Sequence, residues 1–199
     1  MSPESQPPTP SRAPGLLGSV PQAIDRVSGL VGRTVLWLVA VMVAIGAYNA
    51  VARYLNRFTD ANLASNAYLE AQWYLFSLVF LLGAAYALKE DSHVRVDVLY
   101  GRLGPRGKAW IDLAGTLLFL IPFCTLMLWV SWPSVAASWR VREVSPDPGG
   151  LPRYPIKAVV LLAFALLLLQ GVAQALKQVA LLRGAAPPAE PGRHRPEEV

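Results

Sequence analysis

Charge, histidine and cysteine are what this 199-residue chain has little of: Asp, Glu, Lys and Arg make up 16% of it, there are two histidines, and the single cysteine is Cys124. An average soluble domain carries about 25% charged residues and about 45–50% apolar ones, whereas the hydrophobic share here is 54%. So little charge cannot clothe a water-facing exterior, and lipid is part of the solvent. One cysteine permits no intrachain disulfide and leaves the redox compartment unread. His93 and His194 both fall outside the long apolar runs, which excludes haem held by paired histidines within a membrane. An intramembrane serine hydrolase would need a histidine or lysine in the runs that hold Ser77, Ser131 and Ser138, and those runs contain neither. There is no glycine-rich phosphate loop and no metal-ligand cluster, so neither a cofactor nor an enzymatic activity is expected. The net charge of +5 does not point to nucleic acid, because Lys and Arg flank apolar runs instead of forming a stripe interleaved with aromatics.

What the chain has is four stretches without Asp, Glu, Lys, Arg or His. They lie between Arg33 and Arg53 (19 residues), Glu70 and Lys89 (18), Asp112 and Arg140 (27), and Lys157 and Lys177 (19). A hydrocarbon core about 30 Å thick takes about 20 residues at 1.5 Å each. The pattern predicts an all-α integral membrane protein with four transmembrane helices, at about 34–53, 71–89, 112–132 and 157–177. The third run exceeds a simple span, so 132–139 is expected at the interface, and Pro122, falling mid-span, is expected to kink the helix.

Residues 1–30 hold Pro3, Pro7, Pro8, Pro10, Pro14 and Pro21 among Ser and Gly. They read as a disordered tail and lack the short basic start and apolar stretch of a cleaved signal. Residues 183–199 read as a second disordered tail, leaving 31–182 as the membrane domain. With both tails and the 89–112 loop in the cytoplasm, twelve Lys and Arg lie inside and six outside, the distribution the positive-inside rule favours. Within that loop, Val94, Val96, Val98, Leu99, Leu103, Trp110 and Ile111 alternate with basic residues. A cytoplasmic interfacial helix is expected there, turning at Gly104-Pro105 into the third span.

The spans themselves carry packing material. Gly46 with Ala50, Gly83 with Ala87, and Gly171 with Ala175 are small pairs at i, i+4, which let helices approach closely. Gln170 and Gln174 share a face of the fourth span, and Gln170 is the candidate interhelical hydrogen-bonding group.

Several strings then fall in a telling order. The second span ends in Gly83-Ala84-Ala85-Tyr86, then come His93-Val94-Arg95-Val96-Asp97, Glu143 with Ser145, Gly150-Leu151-Pro152, and Lys157. Together with the four spans they resemble the small permease subunit of tripartite ATP-independent periplasmic (TRAP) transporters, the DctQ family, from about residue 30 to 182. The resemblance implies a scaffold subunit of the bacterial inner membrane. Its partners would be a large permease subunit, which holds the substrate and sodium sites, and a periplasmic solute-binding protein that delivers an organic acid or similar small solute.

Each matched residue has a plainer reading beside the sharper one. His93 and Asp97 would share a helical face; with Arg95 they form either a solvated cap or a polar network pinning the interfacial helix to the second span. Glu70 precedes the second span, at the positive end of its dipole, and reads as a cap. Glu143, Ser145 and the Gly149 to Pro152 turn form either a connecting loop or part of an outward surface that meets the binding protein. A structural or assembly tetraspan protein without a transport role is the alternative function.

Overall fold

The computed structural model describes residues 16–58, 63–90 and 103–184. Its elements are α1 (Leu16–Leu55), α2 (Asn66–Lys89), α3 (Pro105–Gly115), a π-helical segment (Thr116–Leu120), α4 (Ile121–Val141) and α5 (Tyr154–Leu182). The α3, π and α4 stretches follow one another without a break, so four long helices result, each long and apolar enough to cross a membrane. Among the described residues there is no strand beyond a single bridge between Val144 and Pro152.

Helix α1 begins fifteen or more residues before the expected span, so 16–30, which composition placed in a tail, is helical. At about 1.5 Å per residue it extends about 60 Å, twice the thickness of a hydrocarbon core. Pro21, the sixth residue of α1, lies inside the helix and removes one i→i−4 hydrogen bond there, and the following turns dock on α5 through Asp25 and Ser28. That tertiary contact, absent from local propensity, makes the segment helical.

The third helix also runs further than expected, through 132–139 to Val141, with Pro133 inside it. Near Pro122 the backbone widens. Ile121 N–H reaches back five residues to the carbonyl of Thr116, which spreads the turn just ahead of a residue that has no N–H and whose ring crowds the carbonyl four positions earlier. The interfacial helix expected in the 89–112 loop falls largely on 91–102, outside the described residues. The described remainder from Pro105 onward is the opening of the third long helix.

Helix α5 is the hub, touching α1, α2, α3, the π segment and α4, while α1 and α2 form an antiparallel pair beside it. The burial pattern inverts that of a soluble bundle. Ala52, Ala85, Ala109, Cys124, Ala163, Ala173 and Ala175 are buried together with polar Ser28, Asn49, Glu70, Thr116, Ser138 and Gln170, whereas Trp37 and Trp129 are each 76% exposed. Lipid rewards large apolar side chains outside as much as inside, so seams are set by small residues and hydrogen bonds. A Cβ on Gly46 would stand 2.7 Å from Gln72 Nε2, and one on Gly171 would stand 2.9 Å from Leu120 Cδ2. The glycines mark where α1 meets α2 and where α5 meets the π segment. Gly83 differs: among the described residues no atom of a neighbouring element lies within 4 Å of its Cβ position, so no described helix uses it for close approach.

Candidate functional site

The end of the bundle formed by the close of α4 and the starts of α2 and α5 carries a folded loop, 142–153. Arg142 closes α4 in the left-handed region, φ 47°, which lets Glu143 N–H donate to the Ser138 carbonyl at 3.0 Å. The chain then runs out and back: Ser145 N–H donates to Leu151 O at 3.1 Å, and Arg153 N–H to Glu143 O at 2.8 Å. The tip is an Asp147 to Gly150 turn closed by a 3.0 Å bond, with Gly149 at φ 72°. At the base, the rings of Trp139 and Tyr154 meet edge to face at 4.7 Å.

Glu70 anchors this loop from α2. It is 2% exposed, and its carboxylate accepts the Ser145 hydroxyl on one oxygen and the Leu151 backbone N–H, at 2.5 Å, on the other. The capping role assigned to it from sequence belongs to Ser65, whose hydroxyl accepts from Ala67 N–H at 3.2 Å. Asn66 adds a second tie, donating to Pro148 O at 3.2 Å. Gly150 must be glycine here, since a Cβ would stand 2.5 Å from Ser145 Cβ and 2.8 Å from Glu70 Oε2. Across the loop, Lys157 at the start of α5 donates to Glu143. That hydrogen bond, with the positive charges of Lys157 and Arg153, holds the Glu143 carboxyl below its ordinary range against partial desolvation.

Thus Glu70, Glu143, Ser145, Gly150, Pro152 and Lys157, scattered over 88 positions from first to last in the chain, meet in one clamp. Gly83 lies on α2 away from it, and His93, Arg95 and Asp97 fall outside the described residues. Gln170 lies in a second polar cluster, towards the opposite end of the bundle. It is fully buried, accepting from Ser28 Oγ at 2.7 Å and donating to Asp25 Oδ1 at 3.0 Å. Because a carboxylate only accepts, the amide orientation follows from the network. Lys177 closes it, 2.6 Å from Asp25 Oδ2.

Sequence reading missed Asp25, Ser28 and Lys177. The available signal was the i, i+3 spacing of Asp25 and Ser28, which sets both towards one helical neighbour; the proline-rich surroundings concealed it. What both clusters do chemically is hold helices and a loop in fixed register.

Four apolar helices with small and polar seams, and ionisable groups gathered in clusters near the ends, define a multi-pass membrane protein. The family model described as "Tripartite ATP-independent periplasmic transporters, DctQ component" matches residues 42–181, and the chain belongs to that family. It is a TRAP transporter small permease component. No curated protein and no solved structure matches the chain.

Proposed function

We propose that this chain is the fixed, non-catalytic scaffold of a sodium-driven, binding-protein-dependent secondary transporter for organic acids or similar small solutes. It sits in the bacterial inner membrane with both termini cytoplasmic, and its partners are a large permease subunit and a periplasmic solute-binding protein. The observation that carries this reading is how the ionisable groups of the long helices are engaged. Glu70 is committed to the 142–153 loop, Lys157 to Glu143, and Asp25 to Lys177. Carboxylates already bonded within the chain are poor ligands for a coupling cation, and the four uncharged runs offer no Asp, Glu, Lys, Arg or His to carry a coupling charge.

In this reading the clamped loop faces the periplasm and presents a rigid, charged surface to the binding protein, while exposed α faces and the open space at Gly83 receive helices of the large subunit. The twelve-to-six distribution of Lys and Arg supports the orientation. Reconstitution tests it. The purified single chain in proteoliposomes should move no organic acid under a sodium gradient, and uptake should appear when a large permease subunit and a binding protein of the same transporter are added. Sodium-dependent uptake by the chain alone would overturn the scaffold assignment; failure to copurify with any large permease would favour an assembly tetraspan protein.

A further inference from the structure

Between α1 and α5, on the outside of the bundle, runs an apolar groove of about 170 Å³ lined by Ala23, Ile24, Val27, Ser28, Leu166 and Leu169. Its depth in the bilayer follows from the neighbouring helix. α2 ends at Lys89, whose ammonium would lie 3.2 Å from a Cβ on Gly29. The groove therefore straddles the level at which the apolar part of α2 gives way to the Lys89–Glu90 pair. Gln170 meets Ser28, so Leu166, four residues further from the end of α5, is the deeper wall and Ala23 the outer one. The groove points inward from the membrane surface, the direction an acyl chain takes.

Charge along the α1 side of the groove is unbalanced. Asp25 is paired with Lys177, and Lys89 with Glu90. Arg26 and Arg33 are both exposed, and neither has a carboxylate within ion-pair distance among the described residues. Arg26 is i+3 from Ala23, hence its neighbour on the helix surface, and Arg33 is i+7 from Arg26 on the same face. Leu30, 68% exposed, and Trp37 continue that face. Arg26 stands at the level of the groove and Arg33 about 10 Å further inward along the axis, and guanidinium matches phosphate oxygens in bidentate geometry.

We propose that this groove is a binding site for an anionic phospholipid, one acyl chain lying between α1 and α5 and the headgroup phosphate held by Arg26, with Arg33 adding to the local positive field. Bound there, the lipid cements the long N-terminal part of α1 to the hub helix beside the Asp25–Gln170 network.

The test uses the full chain purified in a neutral detergent, with native mass spectrometry and thermal unfolding as readouts. Phosphatidylglycerol should bind about thirty-fold more tightly than phosphatidylcholine, the preference two exposed arginines confer near an anionic headgroup. The R26Q/R33Q variant should lose that preference and R26K/R33K should keep most of it. Val27→Trp, which fills the groove, should weaken phosphatidylglycerol binding while leaving the arginines in place; Ala23→Leu serves the same purpose if the larger side chain disturbs folding. Inorganic phosphate at matched concentration should not raise the unfolding temperature. Equal binding of the two lipids, or full phosphatidylglycerol binding by R26Q/R33Q, would overturn the site. Undiminished binding by both groove-filling variants would reduce it to surface attraction, and stabilisation by phosphate alone would make it an anion site without a lipid; either result refutes the proposal.

Discussion

Replacing Gln170 by Leu is the sharpest probe of how α1 is held. The amide is fully buried and makes two bonds to α1, from Ser28 Oγ at 2.7 Å and to Asp25 Oδ1 at 3.0 Å. Interhelical hydrogen bonds in membrane proteins contribute about 0.6 kcal/mol on average and about 1.7 at most. Leucine keeps the volume, Asp25 keeps Lys177, and the stranded Ser28 hydroxyl can turn to a carbonyl of its own helix. The net loss expected is therefore about 1–2 kcal/mol. Reversible unfolding in mixed micelles measures it, and a cycle with Ser28→Ala should return a coupling of about 0.6–1.7 kcal/mol. Hydrogen exchange supplies a local readout: amides of 19–33 should exchange about tenfold faster in Q170L if this network fastens the segment to α5. Unchanged stability, zero coupling to Ser28 and unchanged exchange would refute the claim that these bonds, and not general burial, make 16–30 helical.

At the other end, Gly150→Ala should destabilise the loop by about 1–3 kcal/mol, the usual cost of overpacking, because its methyl would press on Ser145 and the Glu70 carboxylate; thermal unfolding and proteolysis between 142 and 153 check this. The Glu143–Lys157 pair predicts an acid sensitivity of known sign. The folded-state pKa of Glu143 is lowered, so its contribution is complete above the unfolded value of about 4.3 and is lost as pH falls through the folded value. Stability measured down through that range should fall less steeply in Lys157→Met than in the parent; equal slopes would remove Lys157 as the cause.

The all-helical class and the four apolar segments were legible in the chain alone, because the hydrocarbon core sets a length of charge-free sequence that composition displays directly. Family membership was legible too, through short strings whose order around four spans survives without coordinates. Helix ends were another matter. Prolines and small polar residues in 16–30 read locally as a tail, yet Asp25 and Ser28 find Gln170 and Lys177 some 142 to 152 positions away. No local rule prices a hydrogen bond whose partner is that distant. The clamp shows the same division at finer grain. Glu70, Glu143, Ser145, Gly150 and Lys157 were each visible as noteworthy residues, but as a cap, a loop and a charge. Only the fold sets the loop against the start of α2, where a carboxylate one turn into a helix meets a hydroxyl and a backbone N–H that need an acceptor, and burial in that position is what turns it from a dipole partner into an anchor.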